Sequence, residues 1–257
     1  MKINRRDTIL LAAAASALSL SGVATAQAAE GDMVNIDALM APAGGIEDKF
    51  EGNPDAPVTM IEYASPTCPH CASFHNFVYP ELKTQYIDTG KVRFAVRPFA
   101  RNALDAAIFL LAEAAGPEHY NNVLATYFKT QNEWGMSEKP RDALFVIAQQ
   151  LGFTEETFAA ALTNQELFTA IEAQREQALD EFGLTGTPTF YVNGKTLSGG
   201  KTLEQLAAEI DPLVPANFVA PATTPAPAAD AMAPAGGAMA PAADAMAPAG
   251  GAMAPAQ

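Results

Sequence analysis

The chain has two cysteines, and they stand three residues apart in "CPHC" at residues 68–71. Two thiols at this spacing can form a redox-active disulfide, supply half of a metal site, or form an inert structural bridge. A structural bridge that closes so short a loop stabilises a fold little. A zinc or copper site needs further ligands, and the available imidazoles are His70, His75 and the distant His119. A redox-active dithiol is our first hypothesis, and the other two interpretations stay open.

The residues around the motif predict two thiols of unequal reactivity. The stretch "MIEYA" before it is typical of a buried strand, and "CASFHNF" continues as a helix. Cys68 then lies at the N-terminal end of that helix, where free amides and the dipole favour a thiolate, and a protonated His70 would add positive charge. We expect the pKa of Cys68 to lie well below the usual value of about 8.5. Cys71, one turn further, should be more buried and neutral, ready to attack a mixed disulfide at Cys68.

Strand and helix patterns alternate over about residues 50–213. Strands are predicted at 57–65, 91–98, 189–192 and directly after the Asn193-Gly194 turn. Helices are predicted from Asn102 to Gly116, through 144–151, from Thr154 through Leu162, from Asn164 to Gly183, and through "TLEQLAAEIDPL". The order is strand, helix, strand, several helices, strand, hairpin and helix. It predicts an α/β domain that a helical insertion interrupts.

The N-terminal residues predict export. Lys2, Arg5 and Arg6 precede an apolar run from Thr8 to about residue 20, and small residues follow it. A charged segment, a short apolar segment and a small-residue zone are the parts of a signal peptide, which we place at residues 1–28. The apolar run is too short for a bilayer span. Residues 29–50 are interpreted as a linker or N-terminal arm.

The C-terminal residues 215–257 consist mainly of Ala, Pro, Gly and Met, and "AADAMAPAGGAMAP" occurs twice in succession. Such a composition offers no core-forming face, so we predict a disordered tail. Its methionines recur every seven residues, and their soft sulfur atoms could suit Cu(I). The formal net charge of the chain is −14, which argues against nucleic acid as a partner.

Three stretches together resemble the DsbA family of thioredoxin-like thiol:disulfide oxidoreductases. They are "NPDAPVT" ahead of the first strand, "MIEYASPT" leading into "CPHC", and "TGTPTFYVNGK" far downstream. The resemblance covers about residues 52–213. It implies a thioredoxin-like core at 51–102 and 184–214, with a helical insertion at 103–183. This implied fold agrees with the element order read from the patterns.

The resemblance also implies roles for individual residues. It assigns the nucleophile Cys68, the resolving thiol Cys71, the intervening Pro69 and His70, the buried acid Glu62, which helps to move protons, and the cis-proline loop Thr187-Pro188, which faces the dithiol and the substrate. It implies a periplasmic enzyme that oxidises reduced exported proteins and is reoxidised by a DsbB-like membrane oxidase. The Cys68–Cys71 disulfide would be its redox group, with no metal and no other cofactor.

One residue of the resemblance leaves the direction of electron flow open. A threonine before the cis-proline, here Thr187, also occurs in disulfide isomerases and reductases of this superfamily. The first hypothesis is an exported oxidase that introduces disulfides through Cys68 and Cys71. The alternatives are an isomerase or reductase of the same fold, and a copper-binding or copper-tolerance protein that uses the same thiols.

Overall fold

The computed structural model describes residues 29–220, so the predicted signal peptide and most of the predicted tail lie outside the described residues. The strands are β1 (Val58–Ala64), β2 (Val92–Pro98), β3 (Thr189–Val192) and β4 (Lys195–Ser198). The helices are α1 (Ile36–Leu39), α2 (Pro69–Ser73), α3 (Tyr79–Leu82), α4 (Ala103–Ala114), α5 (Tyr120–Lys129), α6 (Gln131–Trp134), α7 (Pro140–Gln150), α8 (Glu155–Leu162), α9 (Gln165–Asp180) and α10 (Leu203–Ile210). Short 3₁₀ turns lie at Ala43–Gly45 and Asp211–Leu213.

The four strands form one mixed sheet in the order β2-β1-β3-β4. Strand β1 runs parallel to β2 and antiparallel to β3, and β3 forms a hairpin with β4. Helices α4 to α9 lie in the chain between β2 and β3. This arrangement confirms the predicted α/β fold, a thioredoxin-like core with inserted helices.

Strand β1 is buried on both faces, and its alternating side chains divide the core in two. Met60 and Ala64 belong to the larger cluster, which includes both cysteines and most of the inserted helices. Ile61 and Tyr63 belong to a smaller cluster on the opposite face of the sheet. Since Glu62 alternates with Ile61 and Tyr63, it points to the face that carries the dithiol.

Most predicted helix starts and turns are confirmed. Asn102 accepts hydrogen bonds from two amides at the start of α4, and Thr154 and Asn164 cap α8 and α9 in the same way. Asn193 and Gly194 both have positive φ, as the tight turn between β3 and β4 requires. Helix α5 was not predicted, because His119 precedes it without a capping hydrogen bond from its side chain.

The helical segment after Cys68 is irregular. Between α2 and α3 lies a π-helical turn, Phe74–Val78, and a second one, Lys83–Ile87, follows α3. Pro80 stands within this segment and has no N–H to donate to the preceding turn. A π turn ahead of a proline accommodates the missing hydrogen bond without ending the helix.

The first described residues, 29–50, pack against the sheet as an arm. Near its start the arm continues the sheet, because Gly31 donates to the carbonyl of Thr196 and Thr196 donates to that of Asp32. Further along, Leu39 is buried in the smaller cluster with Tyr63. Within residues 29–220, no helix combines the length and the hydrophobicity needed to cross a bilayer.

Candidate active site

The two cysteines lie at the junction of β1 and α2. Cys68 occupies the N-cap position of α2, and Pro69 provides the first helical residue, where a missing N–H costs nothing. Both cysteines are unpaired thiols, with 3% of Cys68 and 0% of Cys71 exposed. The Cys68 Sγ lies 3.2 Å from the carbonyl oxygen of Thr187, to which the thiol donates when it is protonated.

The two thiols have opposite pKa shifts, in the directions that the motif predicted. A hydrogen bond from the Cys71 thiol lowers the pKa of Cys68 most, the Thr187 hydroxyl and the backbone N–H groups of Cys71 and His70 lower it further, and burial opposes them. The resulting pKa of Cys68 is about 5. Burial raises the pKa of Cys71 well above its usual value, and the hydrogen bond to Cys68 and the charge of Glu62 raise it further. At neutral pH the site therefore holds one thiolate and one neutral thiol.

The Thr187-Pro188 peptide bond is cis, as predicted. Pro188 is buried, and its carbonyl oxygen accepts a hydrogen bond from Gly199, beyond β4, at 2.8 Å. On the other side of the loop, the Thr189 hydroxyl donates to the carbonyl of Gly186 at 2.8 Å. These contacts hold the loop so that the Thr187 backbone faces Cys68.

Glu62 is fully buried beneath the dithiol and is hydrogen-bonded to a residue that the sequence did not single out for this role. Its Oε2 lies 2.9 Å from Nε2 of His75, on the π turn after α2. The other carboxylate oxygen, Oε1, has no hydrogen-bond partner among the residues that the structure describes. The His75 ring stacks on Phe128 of α5, with 4.2 Å between ring centroids.

A second buried acid, Asp105 of α4, fixes the loop that leads to Cys68. Its carboxylate accepts hydrogen bonds from the Ser65 hydroxyl at 2.7 Å, the Thr67 amide at 2.7 Å and the Arg101 amide at 2.9 Å. The guanidinium of Arg101 closes the network by donating to the hydroxyls of Ser65 and Thr67. The start of the helical insertion therefore positions the catalytic loop.

Gln131, the first residue of α6 within the insertion, reaches the same loop. Its Nε2 donates to the carbonyl of Pro66 at 2.6 Å and to that of Cys68 at 3.1 Å. Sequence reasoning missed both Gln131 and Asp105. The one available signal was the capped start of α4 at Asn102, which places Asp105 in the first turn.

Pro69, His70 and the other histidines are the remaining sequence candidates. Pro69 and His70 are exposed on α2, and His70 acts on Cys68 through its backbone N–H. His75 is engaged with Glu62, and within residues 29–220 no group of three or more His, Cys, Asp or Glu side chains could hold a metal ion.

The mixed sheet, the dithiol at a helix N-terminus and the facing cis-proline define a thioredoxin-like protein. A family model described as thioredoxin matches residues 46–212, which is well over half of the chain. The chain therefore belongs to the thioredoxin family. Within this family, the chain is similar to proteins of the DsbA type.

The crystal structure of Wolbachia pipientis α-DsbA1 is similar, with 30% identity, a TM-score of 0.62, and coverage of 65% of this chain and 90% of that one. Oxidised BdbD from Bacillus subtilis shares the fold at 20% identity and a TM-score of 0.60, over 72% of this chain and 97% of that one. A Rickettsia bellii protein provisionally named a protein-disulfide oxidoreductase is 32% identical over 168 residues, 64% of this chain and 63% of that protein. The chain thus spans less than two thirds of that relative's length.

Proposed function

We propose that the protein is a thiol:disulfide oxidoreductase that introduces disulfides into reduced proteins through Cys68 and Cys71. The observation that carries the proposal is the placement of the Cys68 sulfur, at a helix N-terminus and 3.2 Å from the backbone of the cis-proline loop. A stabilised Cys68 thiolate favours the reduced dithiol over the disulfide. When the dithiol form is the more stable one, the disulfide form of the protein is an oxidant.

The proposed cycle has two exchange steps. A substrate thiolate attacks Cys68 of the disulfide, a mixed disulfide forms, and Cys71 leaves and takes up a proton. A second substrate thiol then attacks the substrate sulfur of the mixed disulfide, which forms the substrate disulfide and releases Cys68 as a thiolate. The carbonyl of Thr187 can pair with an extended substrate segment at this point.

The proposed setting follows from the leader and from the family. Residues 1–28 would direct export to the periplasm, where disulfides persist. The substrates would be reduced exported proteins. A membrane oxidase of the DsbB type would return the dithiol to the disulfide, which the cycle requires after each turnover.

The reduction potential separates an oxidase from a reductase or isomerase. After equilibration of the protein in glutathione buffers, the oxidase hypothesis predicts a potential above about −180 mV, while a value near about −270 mV would indicate a reductase. Oxidative refolding of a reduced, unfolded protein with paired cysteines gives the matching activity, with Cys68→Ser as the inactive control. A potential in the reductase range would overturn the proposed direction of electron flow.

A further inference from the structure

The contact between Glu62 and His75 brings the imidazole close to the dithiol, and the exchange cycle described above assigns it no role. We call these two residues the buried pair. Their side chains are 0% and 6% exposed, and Nε2 of the imidazole lies 2.9 Å from Oε2 of the carboxylate. The two residues of the buried pair lie on different elements. Glu62 is on β1, and His75 is on the π turn after α2.

The surroundings of the buried pair are apolar. Val96 and Phe190 are the cross-strand neighbours of the acid on β2 and β3. The imidazole stacks face to face on Phe128 with 7° between the ring planes, and Phe74 presents its edge to it at 5.3 Å. In such apolar surroundings an ionised carboxylate needs a hydrogen-bond donor, and the imidazole is the donor that the structure provides.

Few other titratable groups face the buried pair. On its own helical segment these are Cys71 and Tyr79, whose ring lies 5.3 Å from the imidazole and whose hydroxyl donates to Glu51. On α5, the hydroxyls of Tyr120 and Tyr127 donate to backbone carbonyls instead. The strand neighbours contribute no charge. Among these groups, Cys71 is the one that must exchange a proton during catalysis.

We propose that His75 is a positioning residue that keeps Glu62 able to exchange a proton with Cys71. The inference rests on the proposed function, since it assigns the proton steps of the same dithiol. It is consistent with the electrostatics of the site, because the charge of Glu62 already acts on the Cys71 thiol. Without the imidazole, neither oxygen of the buried carboxylate would have a hydrogen-bond donor among the described residues, and a buried charge without a donor is costly.

The proton balance is the same in both directions of exchange. When Cys71 attacks a mixed disulfide at Cys68, its S–H bond breaks and the proton moves to the Glu62 carboxylate. The Cys68–Cys71 bond forms, the bond from Cys68 to the partner sulfur breaks, and the partner leaves as a thiolate with the electron pair. The dithiol is oxidised by two electrons and the partner disulfide is reduced. In the reverse step the proton returns to Cys71.

The test uses the full reduced chain and one equivalent of dithiobisnitrobenzoate, a chromogenic disulfide that releases a coloured thiolate at each exchange. The first phase reports the attack by Cys68, and the second reports the attack by Cys71 on the mixed disulfide. In His75→Asn, the first phase should match the parent. The second phase should slow at least about tenfold below neutral pH, with its pH midpoint moved upward, because a protonated carboxyl cannot accept the proton.

Four further variants keep the inference falsifiable. His119→Asn, at an exposed histidine before α5, is the matched control and should leave both phases unchanged. Glu62→Gln should slow the second phase as well, and adding His75→Asn to it should change the rate less than about twofold, since the imidazole acts through the carboxylate. Phe128→Leu keeps the imidazole and should keep the pH midpoint.

The outcomes distinguish this inference from the proposed function. A folded His75→Asn protein with the parental pH midpoint in the second phase would overturn the inference. If that variant does not fold, an unchanged midpoint in Glu62→Gln would overturn it equally. A first phase in the parent that titrates like an ordinary thiol would contradict the proposed oxidant chemistry of Cys68, whatever the second phase does.

Discussion

Each face of the central sheet buries an acidic side chain that is hydrogen-bonded to a basic one, and the two pairs are built differently. On the face covered by residues 29–50, the guanidinium of Arg97 donates twice to Asp48, at 2.7 and 2.6 Å. It also donates to the hydroxyl of Tyr63 at 3.0 Å and to the carbonyl of Leu39 at 2.5 Å. On the dithiol face, Glu62 has one protein partner and one oxygen without any within residues 29–220.

The difference separates a structural charge from a chemical one. Burial lowers the pKa of Arg97, but its hydrogen bonds to Asp48 and Tyr63 and the negative charge of Asp48 outweigh burial. The net shift is upward and the guanidinium stays charged. Because its donors are used in fixed contacts, this pair has no proton to exchange at working pH. One oxygen of Glu62 has no hydrogen-bond partner among the residues that the structure describes, and the carboxylate lies beside a thiol that must gain and lose a proton. Of these two acids, the one with incomplete hydrogen bonding is the one beside the reacting thiol.

Breaking the pair of Arg97 and Asp48 should have the largest effect on the free energy of unfolding. Arg97→Met leaves Asp48 buried without its cation, and losing one partner of a buried pair typically costs about 3–5 kcal/mol. Urea unfolding of the oxidised protein measures the loss. The rate at which folded protein reacts at Cys68 should stay at the parental value, since Arg97 lies on the opposite face. A loss below about 1 kcal/mol would contradict a structural role for this pair.

The dithiol face should instead make stability depend on pH. In the reduced protein the folded pKa of Cys68 is about 5, against a usual value of about 8.5, so its stabilising effect is complete above the unfolded pKa and is lost as pH falls toward 5. The raised pKa of Cys71 affects the pH dependence of stability only at more alkaline pH. The stabilising effect is complete below the pKa that Cys71 has in the unfolded chain, and it is lost as pH rises toward the folded pKa.

Thermal unfolding of the reduced and oxidised proteins tests this dependence. The Tm of the reduced form, relative to the oxidised form, should rise by at least about 3 °C between about pH 5 and pH 8, after allowance for solvent screening. Groups that titrate equally in both forms cancel in the difference. A difference in Tm that does not change over this range would mean that the Cys68 thiolate is not stabilised by the fold.

Much of the architecture could be predicted because its signals are local. Asn102, Thr154 and Asn164 each cap a helix through amides two or three residues away, and the Asn193-Gly194 turn needs only its own backbone conformation. The arm lacked such a signal. Its position depends on Arg97, whose contacts to Leu39 and Asp48 join residues 58 and 49 positions apart.

The candidate site divides in the same way. The spacing of Cys68 and Cys71 predicted the directions of their pKa shifts, because the helix N-terminus and the motif are contiguous in the chain. The contact of His75 with Glu62 depends on the π turn after α2, which no periodicity in the sequence predicted. The contact of Asp105 with Ser65 depends on how the insertion packs against the core.

Neutralising the acid on the dithiol face should change chemistry more than stability. Glu62→Gln keeps an oxygen that can accept from His75, so the free energy of unfolding should change by less than about 1.5 kcal/mol. Removing the negative charge should lower the pKa of Cys71, because that charge disfavours its thiolate. Thiolate absorbance of the reduced protein during pH titration reports this change. An unchanged pKa of Cys71 would show that the acid does not act on the thiol.

A further ion pair, at the protein surface, shows how much burial contributes to the stabilising effect of such pairs. Arg141 of α7 lies 2.5 Å from Glu155 of α8, as close as Arg97 is to Asp48, but the two side chains are 52% and 60% exposed. Arg141→Met is the same substitution as Arg97→Met, and its apolar stem can still pack on Phe158, over which the guanidinium lies. Since water and salt screen an exposed pair, the loss on urea unfolding should stay below about 0.5 kcal/mol. A loss as large as that of Arg97→Met would mean that close approach of the charges, and not burial with saturated donors, makes such pairs structural in this protein.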